Sequence, residues 1–135
     1  MDRKKIKIFF QRTLTKMRNV LDLGCGAAKF MPFFEKRRVT YLGIDFSENA
    51  INLIAPSRLQ NISLAYAEKL PFRDSSIDCI FAHHVVEHIL EPAVLISELK
   101  RVLQPAGYVA IVTTVIPFGS LSCGEKSGFI GERTT

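Results

Sequence analysis

Between Asn19 and Val115, short apolar runs alternate five times with stretches of helical periodicity. That rhythm predicts a parallel sheet whose strands are joined by helical crossovers. The strands fall at Val20–Leu23, Thr40–Asp45, Ile62–Ala67, Ile77–Ala82 and Tyr108–Val115. Ala27–Lys36 reads as a helix, with Pro32 tolerable only near its first turn. Ser47 can cap a second helix that runs to Ala55 and stops at Pro56. Pro92 opens a third, ending at Leu103, with Leu95, Leu99 and Val102 facing inward and Gly107 breaking the pattern beyond it. Tyr108–Val115 is almost continuously apolar, as strands covered on both faces are. Right-handed crossovers fold these elements into a doubly wound α/β sheet.

Two flanks differ from this core. In residues 1–18, Ile6, Phe9, Phe10, Leu14 and Met17 recur at helical spacing among Lys and Arg, predicting a basic amphipathic helix that lays one stripe on the domain. Residues 116–135 hold four glycines and no period of either kind, and are expected to form an irregular tail. The domain proper is then 19–115. A chain of 135 residues fits one domain of this kind. Its 47% hydrophobic and 23% charged residues argue against disorder.

Charge changes the picture little. The net charge is +5, but residues 1–18 hold seven Lys or Arg against Asp2 alone, a surplus larger than that of the whole chain. The basic excess belongs to the arm, and no basic reading surface with interleaved aromatics marks the domain, so no nucleic-acid partner is expected. The longest apolar stretch, Val109–Phe118, is about half the roughly 20 residues that span a bilayer, so no stable membrane insertion is expected either. Cys25, Cys79 and Cys123 are odd in number and far apart, which suggests neither a disulfide framework nor a zinc knuckle, and a cytoplasmic location is the expectation.

The chemistry concentrates where the first two strands end. Strand one runs into Asp22-Leu23-Gly24-Cys25-Gly26, and 19 residues past Gly26 strand two ends at Asp45. In an open parallel sheet, ligands bind beyond the carboxyl ends of the strands where the winding reverses, and glycines there let a ligand reach the backbone. An acid at the end of strand two is placed to accept both hydroxyls of an adenosine ribose. Lys29 stands where dinucleotide sites want a further glycine, so a phosphate-free adenosine suits this turn better than a pyrophosphate. Asp22 also disfavours pyrophosphate and can attract a cationic ligand.

The blocks Val20-Leu21-Asp22-Leu23-Gly24-Cys25-Gly26, Tyr41-Leu42-Gly43-Ile44-Asp45-Phe46-Ser47, Ala67-Glu68-Lys69-Leu70-Pro71-Phe72 and Ile77-Asp78 through Val86-Glu87-His88 follow in order along the chain. Together they resemble class I methyltransferases that use S-adenosyl-L-methionine, in particular the small-molecule branch related to ubiquinone and menaquinone biosynthesis. The resemblance implies a Rossmann-like sheet of strand order 3-2-1-4-5 and a donor site in which Asp22, Gly24, Cys25 and Gly26 surround the methionine part. It implies further that Asp45 holds the ribose, Phe46 flanks the adenine, Ala67 and Glu68 face its edge, and Ala82 and His83 border the methionine end. Two positions depart from the pattern: Tyr66 stands where an acid is common, and Ala28 where a third glycine is usual. The family's last two strands are missing from the sequence pattern, which would leave strand five an apolar open edge for a second copy, a partner subunit or the tail to cover.

His83, His84 and His88 fall within six residues, and His84 to His88 spells the H-x-x-E-H pattern of one zinc peptidase group, but Pro92 and the preceding strand leave no room for that group's long helix. No metal site is therefore expected. Methyl transfer from a sulfonium mainly needs alignment and exclusion of water, with a base only for acidic acceptors. His83, next to the donor, is the expected base, with His84 or Glu87 as substitutes. The expected function is methyl transfer to a small-molecule acceptor. The competing expectations are a methyltransferase-like binding or partner protein with little activity and, less favoured, a dinucleotide oxidoreductase.

Overall fold

The structure, a computed structural model, describes residues 3–115 and 126–133. A single six-stranded sheet has the order β3-β2-β1-β4-β5-β6. Its strands are β1 (Asn19–Leu23), β2 (Thr40–Asp45), β3 (Ile62–Leu64), β4 (Ile77–His83), β5 (Leu103–Val115) and β6 (Lys126–Arg133). The first five are parallel, in the predicted order 3-2-1-4-5. The helices are α1 (Arg3–Thr13), α2 (Met31–Glu35), α3 (Glu48–Ile51) and α4 (Pro92–Val102).

Alternation along the strands builds two cores. Val20, Cys79 and Phe81 face α1 and α2, where they meet Phe10, Leu14, Met31 and Phe34. Leu21, Leu23 and Ile80 face the other way, onto Leu95, Leu99 and Val102 of α4, the stripe read from sequence. Phe10 is fully buried, with its ring 5.0 Å from Phe34 and 5.4 Å from Phe81 in edge-to-face geometry. With Ile6, Leu14 and Met17 it seats α1 on the sheet. The side chain of Phe9 lies outside the described residues. Among the described residues no helix is long and apolar enough to cross a membrane.

The C-terminal segment departs from expectation. Residues 126–133 are not irregular: they form β6, antiparallel to β5, in register from Tyr108↔Arg133 to Val115↔Lys126. β5 is therefore an interior strand, covered by the chain's own tail. Its unpaired backbone groups reward any extended segment that reaches them, whatever that segment's side-chain period, and so the sequence carries no local signal. Residues 116–125 and 134–135 of the expected tail lie outside the described residues.

The helices are shorter than predicted. Ala27 to Phe30 form turns, and only Met31–Glu35 is helical, with Pro32 in the first turn where its missing N–H costs nothing. Ala28 has φ +55°, inside that turn and ahead of the helix. A third glycine would suit this position for its backbone freedom, and alanine there accepts a strain of about 1–2 kcal/mol. Ser47 does cap α3, its hydroxyl accepting from the Ala50 N–H at 3.3 Å, but the helix ends at Ile51.

Two polar networks fix the loops. At the lower rim Asp78 Oδ2 accepts the N–H groups of Arg18 (2.6 Å) and Asn19 (3.2 Å), and the Asn19 side chain bridges back to Asp78 N–H and Ser76 C=O. This ties the start of β1 to the start of β4. Near the upper rim, Arg101 donates to Glu98 and to the carbonyls of Leu70 and Phe72, while Glu98 accepts the Leu70 N–H at 2.7 Å. The Arg101 guanidinium holds the Glu98 carboxyl down at about 2. The loop after β3 is thereby clamped to α4.

Candidate active site

β1 and β2 deliver their carboxyl ends side by side, and the turn after β1 is built to meet them. Gly24 and Gly26 have φ of +69° and +54°, in the left-handed region that favours glycine. At Gly24 space matters as well, because a Cβ would lie 2.5 Å from Val85 Cγ2. At Gly26 a Cβ would meet nothing within 4 Å, so backbone angle alone sets the preference. The turn is pinned to β2 by Cys25 N–H donating to Ile44 C=O (2.8 Å) and Gly26 N–H donating to Asp45 Oδ2 (2.8 Å). Asp45 Oδ1 accepts from Ser47 N–H, also at 2.8 Å. A carboxylate has about four lone-pair positions, so two remain for a ligand's hydroxyls.

Two clefts open on this rim. The larger, about 520 Å³, is lined by Gly24, Asp45, Phe46, Tyr66, Ala67, Glu68, His84, His88 and the apolar side chains of Ile44, Ala65, Val85, Ile89 and Leu90. Phe46 and Tyr66 stand at its mouth with parallel rings, 7° apart in plane and 6.1 Å between centroids, both about two-thirds exposed. The smaller, about 360 Å³, is lined by Asp22, Gly24, Cys25, Gly26, Ala27, Lys29, Phe30, His83 and His84. The structure thus brings nearly all of the expected residues onto one rim.

Two expected residues stand elsewhere. Ala82 lines neither cleft, because strand alternation turns it with Ile80 into the α4-side core, opposite to Phe81 and His83. Glu87 also lines neither, but it reaches His84: His84 Nδ1 and Glu87 Oε1 are 3.1 Å apart. Residues that sequence reading missed are Lys29 and Phe30 in the smaller cleft, Val85, Ile89 and Leu90 in the larger, and Thr113, whose Oγ1 donates to Glu87 Oε2 at 3.1 Å. The cleft residues follow the rim turns already singled out and were legible from chain position; Thr113, 26 residues from Glu87, was not. Among the described residues no group of three or more His, Cys, Asp or Glu is gathered to hold a metal ion.

Burial tunes the ionisable groups. Asp22 is 1% exposed, and burial raises its carboxyl to about 7, against the opposing hydrogen bond from Tyr41 at 2.5 Å and the charge of Lys29. Burial and the neighbouring Asp22 and Asp45 push the Cys25 thiol up to about 12, leaving it protonated and unreactive. Burial, then Lys29 and His84, press His83 down to about 4, so its ring is neutral at physiological pH and a weak base.

The Asp22 shift has a measurable consequence. Between the ordinary carboxyl value near 4 and about 7, the folded chain keeps a proton that the unfolded chain releases, so stability falls as pH rises through that window and levels off above it. Asp22→Asn keeps an acceptor for Tyr41 and removes the titration. Urea denaturation at about pH 5 and about pH 8 should show the variant gaining about 2–3 kcal/mol on wild type between the two conditions, whereas parallel pH dependences would contradict the assignment.

An open parallel sheet with a glycine turn and a strand-two carboxylate at its switch point defines a nucleoside-binding α/β domain. Residues 21–111 match the family described as Methyltransferase domain, and the chain belongs to that family. An uncharacterized methyltransferase of Mycolicibacterium gilvum (strain PYR-GCK) is 32% identical over 126 residues, covering 90% of this chain and 49% of the relative. A counterpart in Mycobacterium tuberculosis is 32% identical over 121 residues, 86% of this chain and 48% of its own. The chain thus spans about half the length of the curated relatives it matches. Among solved structures, a protein of Pyrococcus horikoshii OT3 superposes with a TM-score of 0.73 at 29% identity, covering 82% of this chain and 56% of that one. A SAM-dependent methyltransferase of Aquifex aeolicus superposes at 0.64 with 27% identity, covering 84% and 73%.

S-adenosylmethionine is the cofactor named for the Aquifex aeolicus structure, and the residues of this rim fit it. The larger cleft has apolar walls, two aromatic plates and a carboxylate with open lone pairs, as a nucleoside requires. The adjoining smaller cleft carries the Asp22 carboxyl, whose ionised form, reached above about 7 in the folded chain, suits a ligand bearing a positive sulfur and an ammonium.

Proposed function

We propose that this chain performs S-adenosylmethionine-dependent methyl transfer to a small-molecule acceptor. The observation that carries the reading is the direct bond between the Gly26 N–H and Asp45 at the meeting point of the two clefts. Asp45 would accept the ribose hydroxyls, Phe46 and Tyr66 would flank the base, and Asp22 would offset the positive charge of the methionine end. When bound, the cofactor supplies a methyl group on an already activated sulfonium, so the chain's own task is to align the acceptor and keep water out. The likeness to the ubiquinone and menaquinone branch makes a quinol or phenol the first acceptor to try.

Titration calorimetry with S-adenosylmethionine, S-adenosylhomocysteine and NAD tests the reading. The first two are expected to bind and NAD is not; preferential NAD binding would replace methyl transfer with dinucleotide chemistry. Product formation with a panel of quinol, phenol and carboxylate acceptors then separates a working enzyme from a binding protein of the same fold.

A further inference from the structure

We propose that Lys29 is a specificity-determining residue: its ammonium pairs with the carboxylate of the cofactor's methionine part while Asp22 takes the amino group, so the smaller cleft selects a nucleoside whose sulfur carries an intact amino-acid arm. The inference rests on the methyl-transfer reading and adds how the site tells its cofactor from decarboxylated relatives.

Lys29 needs a physical reason, because its charge has the wrong sign for most of that ligand. A positive sulfur and an ammonium are both repelled by a lysine beside them. Yet Lys29 lines the smaller cleft, and among the described residues it is the sole lysine or arginine lining either cleft. Its charge acts across that space: it favours the ionised form of Asp22 against burial, and it adds to burial in keeping His83 neutral. An anionic group on the ligand is what a cation in this place can hold.

The local fold sets the two charges at different depths. Asp22, 1% exposed, forms the inner wall, where the Tyr41 hydroxyl donates to its Oδ2. Lys29 is exposed and stands in the non-helical turn after Gly26. Its ammonium lies 5.1 Å from the centroid of the Phe30 ring, a cation–π contact that leaves the N–H donors for a ligand. The Phe30 ring is itself braced edge-to-face on Phe81 of β4, 4.9 Å between centroids and 89° in plane. The lysine is thus seated on a ring anchored in the sheet.

A ligand entering this cleft meets a cation first and an anion further in. An α-amino acid arm offers the matching pair, a carboxylate and an ammonium on one carbon. Without the carboxylate, the arm leaves Lys29 facing a second positive charge. Without the amine, it leaves the Asp22 charge unmatched in a buried place, which is costly. Both losses weaken binding, but they are assigned to different residues and can be separated.

The test is titration calorimetry at about pH 8, where Asp22 is ionised. The probes are S-adenosylhomocysteine, its decarboxylated analogue S-adenosyl-3-thiopropylamine and its deaminated analogue, the adenosyl thioether of 4-mercaptobutyrate. Wild type is expected to prefer S-adenosylhomocysteine to the decarboxylated analogue by about tenfold or more. In Lys29→Met, S-adenosylhomocysteine and the deaminated analogue should each bind about 5–20-fold more weakly, the range for one ion pair at a partly exposed site. The decarboxylated analogue should bind that variant unchanged or more tightly, because a repulsion is removed. Lys29→Arg keeps the charge and should keep the preference. Lys29 is exposed, so the substitutions leave the fold intact, and comparing ligands on one variant cancels any general effect on the site. Equal losses for S-adenosylhomocysteine and the decarboxylated analogue, a wild type without the preference, or a Lys29→Met affinity for S-adenosylhomocysteine within about twofold of wild type would each overturn the pairing while the methyl-transfer reading stands. If wild type binds none of the three probes, that reading falls and takes the pairing with it.

Discussion

Asp45→Ala should weaken S-adenosylhomocysteine binding by about 10²–10⁴-fold. Hydrogen bonds to a charged group contribute roughly 1.5–3 kcal/mol each, and the ribose offers two hydroxyls, for a loss of about 3–6 kcal/mol. The substitution also releases the N–H groups of Gly26 and Ser47, which Asp45 now holds at 2.8 Å each. The glycine turn therefore loses its tether to β2 as well as its ligand contact. Asp45→Asn keeps an acceptor for only one of the two backbone N–H groups and loses the charge, so an affinity and a melting temperature between those of wild type and Asp45→Ala are expected. Calorimetric affinities for Asp45→Ala within about threefold of wild type would show that the carboxylate serves the turn alone.

Phe10→Ala should destabilise the fold by about 3–5 kcal/mol, the range for deleting a fully buried aromatic side chain. Its ring lies edge-to-face against Phe33, Phe34 and Phe81, so truncation opens a cavity beneath α1 and removes the contacts that join α1 to α2 and β4. For a domain with about 5–15 kcal/mol of total stability this is a large fraction. Ile8, on the outer side of the same helix and 53% exposed, is the control, and Ile8→Ser should change stability by less than about 0.5 kcal/mol. Urea denaturation of both variants checks the pair. A cost below about 1 kcal/mol at Phe10 would mean that the helix is not seated by this residue.

Much of the site was legible along the chain because its parts are local to strand ends. Gly24 and Gly26 follow β1 directly, Asp45 closes β2, and Ser47 caps the next helix as its position suggests. Once β1 and β2 lie side by side in parallel, these residues must share a rim. The helix after β1 was overestimated because its apolar spacing continues through residues that the tight glycine turn draws into non-helical angles, Ala28 among them. His83 was the expected base on position and ordinary acidity, and the structure presses it toward neutrality by burying it beside Lys29.

By itself, then, the sequence determined the alternation of strand and helix and the glycine and carboxylate of the rim, since these follow from period and spacing within short windows, while the order 3-2-1-4-5 came with the resemblance of its motif blocks to a family. Tertiary structure alone decided that 126–133 covers β5, that Asp22 shares its carboxyl with Tyr41, and that Thr113 meets Glu87 beside His84. Each of these joins residues far apart in the chain through backbone pairing, burial or a single hydrogen bond, and such pairings leave no periodic trace in the order of amino acids.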